Sequence, residues 1–316
     1  MEYRNLGRAG IKVSRICLGT AFRGAPDEAT CLATIDRAIE LGINFIDCAN
    51  AYRTEEVVGK ALRGRRDRVV LTTKVCSPMG DGPNDRGLSR GHILREVENS
   101  LKRLQTDYID VYLAHSVDPC TPIDETLGAF DDLVRHGKVR YIGCSNFPAW
   151  RVAKALWTSE RCGLHAFTCV QDHYNLLDRR IERELVPLCQ EEGLGIMTYS
   201  ALAVGLLTGR FRHGQPAPAG SLWARQPQRF AQMMTPEADQ VVEALQAIGA
   251  EHGRTPAQAA IAWVLSRPGI TAAMIGPDAP AHVEENVGGC GWELTAAEVE
   301  LLEHRSAWAL GAGHIV

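Results

Sequence analysis

Short apolar, β-branched runs recur along the chain at 15–19 (RICLG), 43–47 (INFID), 68–74 (RVVLTTK), 108–115 (YIDVYLAH), 139–145 (VRYIGCS), 167–171 (FTCVQ), 194–200 (LGIMTYS) and 271–276 (TAAMIG). Between them lie segments with apolar residues at helical spacing, at 27–42, 54–64, 89–105, 121–137, 148–157, 178–193 and 235–253. Several open on Ser, Thr, Asp or Pro and close on Gly, the ordinary start and stop signals of a helix. Near-continuous apolar strands alternating with helices predict a parallel sheet covered on both sides. Eight such units in a chain of this length fit a closed (β/α)8 TIM barrel; the alternative is an open doubly wound sheet. Residues 1–14 read as a β-hairpin capping one end of the barrel. The segment from 200 to 235 reads as a long Pro/Gly-rich connection, and PAHVEENV (280–287) and LTAAEVELLEHRSAWA (294–309) as extra C-terminal helices. No boundary divides the chain, so one domain over 1–316 is expected.

Composition narrows the function. With 34 Lys+Arg against 38 Asp+Glu the formal charge is −4, which excludes a nucleic-acid binder held by a basic face. No apolar run reaches the length of a membrane helix, and the opening MEYRNLGRAG carries charge where a secretory signal is apolar. A cytoplasmic protein acting on a small molecule is expected, with a monomer as the default. The 10 cysteines are scattered without CxxC pairs or metal-ligand spacing, so no metal site is expected.

In such a barrel the chemistry sits at the carboxyl ends of the strands. The polar residues there are Asp47, with Tyr52 five residues on, then Lys74, His115, Ser145, Asn146, Gln171, Tyr199 and Ser200. Each alone has an ordinary structural reading, as a cap, a strand-end charge or a satisfied rim histidine. Charges ending three successive buried strands need partners, however, because an unpaired buried charge is costly.

GINFIDCANAY (42–52), VVLTTKV, YIDVYLAH, GKVRYIGCSNF (137–147), QDHYNLLDRR (171–180), TYSALAVGLLTGRF (198–211) and EENV (284–287) keep their order over residues 3 to 290. Together they make the chain resemble the aldo-keto reductase superfamily. The resemblance implies a nicotinamide-dependent oxidoreductase moving a hydride between cofactor and an aldehyde, a ketone or the corresponding alcohol. Its catalytic tetrad falls on Asp47, Tyr52, Lys74 and His115. Tyr52 is then the acid/base, Lys74 lowers the phenol pKa, Asp47 keeps Lys74 charged, and His115 orients the carbonyl oxygen. The resemblance also places the nicotinamide carboxamide on Ser145, Asn146 and Gln171 and the ring against Tyr199. Ser200, Leu202, Gly205 and Arg210 fall along the pyrophosphate, and Gly276, Glu285 and Asn286 at the adenosine.

Two departures from the family pattern bear on specificity. Where relatives carry groups that hold a 2′-phosphate, this chain has Asp278, and no Lys or Arg occurs between Arg267 and Arg305. A carboxylate there repels a phosphate dianion and can accept from a ribose hydroxyl, so NAD(H) is expected in preference to NADP(H). The loop after the second strand is short, with Arg53 directly following Tyr52, and Arg23 lies in the loop after the first. Two arginines at the mouth suit an anionic carbonyl or a sugar, unless they pair with Asp27, Glu55 or Glu56; Trp223 is a further candidate for the substrate wall. The alternative function is a cofactor-binding regulatory subunit of the same superfamily. Schiff-base chemistry on Lys74 would leave Tyr199 and the Ser145–Asn146 pair without a use, and a metal on His115 would lack a second His or carboxylate at ligand spacing.

Overall fold

The computed structural model describes residues 1–311. Its eight parallel strands close into a barrel: β3 (Ile16–Gly19), β4 (Phe45–Asp47), β5 (Val70–Val75), β6 (Ile109–Ala114), β7 (Val139–Ser145), β8 (Cys169–His173), β9 (Gly195–Tyr199) and β10 (Ile270–Ile275), with β10 pairing back onto β3. Each falls within two residues of a run read from the sequence. The doubly wound alternative is thereby excluded. Strands β1 (Tyr3–Asn5) and β2 (Lys12–Ser14) form the antiparallel hairpin. Its turn lies against the amino-terminal ends of β8 and β9, where the Arg8 N–H donates to the Gly193 carbonyl at 2.9 Å. Gly7 there has φ +58°, and a Cβ would meet the Gly193 oxygen at 2.7 Å, so only glycine lets the two backbones approach.

Helices α1 (Glu28–Glu40), α2 (Glu55–Ala61), α3 (Arg90–Leu104), α4 (Ile123–Arg135), α5 (Ala149–Cys162) and α6 (Leu185–Glu192) follow β3 to β8 in turn. The long connection after β9 is partly helical: it holds short 3-10 turns, then α7 (Pro227–Met233) and α8 (Pro236–Glu251). The helix that returns to β10 is α9 (Pro256–Ser266), which the sequence reading passed over. Eight of its eleven residues, Ala257 and Ala259–Leu265, are buried, so it lacks the polar face that betrays an amphipathic helix. Helices α10 (Pro280–Val287) and α11 (Ala296–Arg305) complete the chain, the latter opened by the Thr295/Glu298 capping box that LTAAE suggests.

Strand parity divides the core and aims the site. Side chains alternate across a strand, and one apolar cluster fills the barrel interior, including Cys17, Phe45, Val70, Val111, Leu113, Cys169, Met197, Ala272 and Met274. The larger cluster packs strands against helices. Counting by twos from the interior residues, Phe45 leads to Asp47, Val70 to Lys74, Leu113 to His115, Cys169 to Gln171 and Met197 to Tyr199. The same alternation that packs the barrel therefore turns these polar side chains inward at one rim.

Candidate active site

At that rim Lys74 and Asp47 have no solvent exposure, and Lys74 Nζ lies 2.5 Å from Asp47 Oδ2. The ammonium also donates to the Cys48 carbonyl at 2.8 Å and approaches Tyr52 Oη at 3.3 Å. The second Asp47 oxygen accepts from Gln171 Nε2 at 2.8 Å. Tyr52 ends a 3-10 turn (Asn50–Tyr52) between β4 and α2. Its ring meets that of His115 edge-on, centroids 5.7 Å apart. Asp47, Tyr52, Lys74 and His115, from three different strand ends, therefore form one contiguous group.

Burial works against charge on Lys74, but the Asp47 carboxylate and the Tyr52 hydroxyl outweigh it and hold the ammonium above the usual lysine range. Burial raises the Asp47 carboxyl against the pull of Lys74 and Gln171. The proton of the pair thus resides on nitrogen. For Tyr52 the sequence reading expects Lys74 to lower the phenol pKa. The structure gives a net rise: burial comes first, and it and the Asp47 charge outweigh the ammonium. His115 is pushed down to about 3 by burial and by Lys74, so at neutral pH it is an uncharged imidazole. Its Nδ1 is buried without a protein partner.

The inward face beside this group carries the residues assigned to a nicotinamide. Asn146, at φ +58°, donates to the His115 carbonyl at 2.9 Å and to Ser145 Oγ at 3.0 Å. Its Oδ1 accepts from Tyr199 Oη at 2.7 Å. Ser145, Asn146 and Tyr199 are thus joined by hydrogen bonds, while Gln171 is directed to Asp47. After β9 the chain passes Ser200, at positive φ, and enters a 3-10 segment, Ala203–Thr208, in which Ala203, Val204 and Gly205 also have positive φ. Leu202 and Gly205 are half-buried, and Arg210 is exposed without an ion-pair partner among the described residues.

Beyond β10, Asn286 in α10 is buried, yet its side chain makes no hydrogen bond among the described residues. Gly276 and Glu285 are exposed. Asp278 is not a free surface carboxylate, since its Oδ1 accepts from the Gly24 N–H at 2.9 Å. The bond joins the loop after β10 to the loop after β3, where Phe22 has φ +43°. Gly24 follows Arg23, so Arg23 stands next in chain to the contact with the loop that carries Asp278.

The acids named as possible partners of the two arginines are engaged elsewhere or apart from them. Asp27 caps α1 through the Thr30 N–H, and Glu55 bonds Thr73 and Arg103. Arg23 and Arg53 are exposed and, among the described residues, their side chains have no partner. Arg53 sits at φ +60° immediately after Tyr52. Trp223 is displaced from its expected place: it is 3% exposed, packs near Phe230, and donates to the Val204 carbonyl at 3.0 Å. It pins the segment after β9, because an indole with one buried N–H needs an acceptor.

Sequence reasoning passed over Asn50, Glu96 and Arg103 and named Glu55 only as a possible arginine partner; the four form a largely buried polar group behind Tyr52. The available signal was the placement of Glu96 on the apolar stripe of α3, between Ile93 and Val97. Among the described residues no group of His, Cys, Asp and Glu could hold a metal ion, and no helix is long and apolar enough to cross a membrane.

The model of the aldo/keto reductase family matches residues 15–306. The chain is 41% identical over 302 residues to the uncharacterized oxidoreductase YrpG of Bacillus subtilis, covering 91% of this chain and 90% of that one. It is 36% identical to a probable voltage-gated potassium channel subunit beta of Oryza sativa, with 91% and 90% covered. To the versiconal hemiacetal acetate reductase of Aspergillus parasiticus it is 34% identical, with 96% of each chain covered. The barrel, the order of its motifs and these whole-length likenesses agree, and the chain belongs to the aldo/keto reductase family, whose members work with nicotinamide cofactors.

Proposed function

We propose that this chain is a carbonyl oxidoreductase in which Tyr52 is the proton donor to the carbonyl oxygen during reduction and the acceptor during alcohol oxidation. The observation that carries this reading is the solvent-free Lys74–Asp47 pair with Lys74 Nζ 3.3 Å from Tyr52 Oη. The nicotinamide supplies or removes the hydride. Everything else is the work of this chain's side chains. Tyr52 is protonated at neutral pH because burial holds its phenol up, which suits an acid. As negative charge develops on the substrate oxygen and then on the phenolate, the Lys74 ammonium stands ready to stabilise it without reorganising. His115, neutral at physiological pH, donates a hydrogen bond without competing for the proton.

Ser145, Asn146, Gln171 and Tyr199 would hold the nicotinamide end, the 200–210 segment the diphosphate, and Gly276, Glu285 and Asn286 the adenosine. Asp278 and the absence of any Lys or Arg between Arg267 and Arg305 support NAD(H) over NADP(H). Arg53, whose side chain has no partner among the described residues and which is next in chain to Tyr52, supports a substrate with an anionic group or a polyhydroxylated sugar-like carbonyl. The regulatory-subunit reading draws on the likeness to channel beta subunits, but those proteins' partners are their own. A complete Asp47, Tyr52, Lys74 and His115 set favours turnover. The test is reduction of a panel of neutral and anionic aldehydes and ketones by the purified chain with NADH and with NADPH. Activity abolished in Tyr52→Phe supports the reading; a fully active Tyr52→Phe sinks it.

A further inference from the structure

Behind the rim, on the outward face of β5, two buried carboxylates, a buried amide and the half-buried Arg103 guanidinium form a group that touches both flanks of the Tyr52 turn. Asn50, the first residue of that turn, is 1% exposed and donates through Nδ2 to Glu96 Oε2 at 3.0 Å. Glu96, 3% exposed on α3, is held by Asn99 at 2.7 Å and by Arg103 Nη2 at 3.4 Å. Arg103 Nε donates at 2.6 Å to Glu55, three residues beyond Tyr52, whose side chain has no exposure. The remaining Glu55 oxygen accepts from Thr73 Oγ1 at 2.6 Å. Thr73 precedes Lys74, and by strand parity it points outward where Lys74 points inward.

The chain of contacts thus starts two residues before Tyr52, passes through α3, returns three residues after Tyr52, and ends on the neighbour of Lys74. Such a group is costly to bury. Two carboxylates share one guanidinium, and burial opposes charge on both Glu96 and Arg103, though their partners reverse it. An apolar contact would pack α2, α3 and β5 more cheaply. What the polar group adds is direction, because each bond fixes one orientation of one side chain.

Building on the proposed role of Tyr52, we infer that Asn50, Glu96, Arg103 and Glu55 are positioning residues that set the separation of Tyr52 Oη from Lys74 Nζ. None of them touches the substrate. Their removal lets the turn relax, so Tyr52 loses the ammonium before it loses its place in the fold. A shift of this kind far from the chemistry costs up to about 100-fold in rate.

The test uses the full chain with Asn50→Ala, Glu96→Ala, and Glu96→Gln, which keeps an acceptor for Asn50. Expected are kcat losses of roughly 10- to 100-fold in the two alanine variants, with carbonyl KM and cofactor Kd little changed, and substantial recovery in Glu96→Gln. A second readout needs no turnover: the Tyr52 phenol is titrated by NMR of 13Cζ-labelled tyrosine, its resonance assigned with Tyr52→Phe. The Tyr52 pKa rises in Asn50→Ala as the ammonium withdraws. An unchanged titration in Asn50→Ala, whatever its rate, overturns the inference, as does equal loss in Glu96→Gln and Glu96→Ala. If Asn50→Ala does not fold, the titrations of Glu96→Ala and Arg103→Lys decide in the same way. A wild type without carbonyl reduction defeats the proposed reaction and leaves the titration to judge the positioning role.

Discussion

Lys74 and Asp47 form an ion pair from which solvent is wholly excluded, 2.5 Å apart, at the inward ends of adjacent strands. Breaking one side strands the other charge in the protein, at a cost of about 3–5 kcal/mol. Lys74→Met and Asp47→Leu should therefore each lower the melting temperature markedly. Combining Lys74→Met with Asp47→Leu should recover most of the stability, since no lone charge remains, and recover none of the activity. Thermal denaturation beside carbonyl-reduction assays on the three variants checks this; a double variant no more stable than the singles would contradict it.

Tyr52 supplies the second prediction. Loss of a general acid typically costs about 10²–10⁴-fold, so Tyr52→Phe should lose reduction by that order while binding reduced cofactor as before. Because burial raises the phenol above its ordinary pKa, reduction should stay flat through neutral pH and decline only on the alkaline side, while alcohol oxidation should increase over the same alkaline range. Steady-state pH profiles in both directions test the sign. A fall in reduction beginning below pH 8 would mean that bound cofactor reverses the balance at Tyr52.

His115 gives a pH effect on stability. Its folded pKa lies at about 3, below the ordinary histidine value. Between those two values the unfolded chain takes up a proton that the folded chain refuses, so stability falls as pH drops across this window and is fully present above it. Denaturant titrations at several pH values should show a shallower acid loss in His115→Gln than in the wild type. The pH profile of kcat should carry no limb from His115 between pH 5 and 8.

Much of the fold was readable because burial on both faces writes parallel strands as apolar runs, and the carboxyl ends of those runs then named Asp47, Lys74, His115, Gln171 and Tyr199 as residues of one rim. Helix α9 escaped for the converse reason, being apolar all round. Trp223 was legible as an aromatic in a long loop, but whether such a ring faces a ligand or staples its own loop depends on one long-range bond to Val204. The ionic group behind Tyr52 joins residues 46 and 48 positions apart, a distance at which sequence spacing carries no pairing information. The sign of the Tyr52 shift was hidden for another reason: residue identity supplies the ammonium but not the burial that outweighs it.

The arginine next to Tyr52 can be separated from the one beside Gly24. Arg53→Met should raise KM for anionic carbonyls several-fold and leave neutral carbonyls unaffected, since only a charged substrate loses a charge-assisted hydrogen bond. Arg23→Met, on the loop tied to Asp278, should change cofactor Kd more than carbonyl KM. Matched substrates with and without a carboxylate, assayed at two ionic strengths, provide the measurement. Equal effects of Arg53→Met on both substrate classes would remove Arg53 from substrate recognition.

Asp278 carries the last prediction, and its bond to the Gly24 N–H sharpens it. The carboxylate both closes the loop after β10 onto the loop after β3 and sets a negative charge in the segment assigned to the adenosine ribose. Asp278→Asn removes the charge and keeps an oxygen that can accept from Gly24; Asp278→Arg reverses the charge and breaks the bond. If charge governs cofactor choice, NADPH affinity should rise in both variants, more in Asp278→Arg, with NADH affinity little changed in Asp278→Asn. If the loop bond governs it, Asp278→Asn should behave as the wild type, and Asp278→Arg should weaken both cofactors together. Titration of each protein with NADH and NADPH, followed by quenching of tryptophan fluorescence, distinguishes the two. A wild type that binds NADPH tenfold more tightly than NADH would mean that the 2′-phosphate finds a cation outside residues 268–304, and Arg23, one residue from the Asp278 contact, is the first to replace.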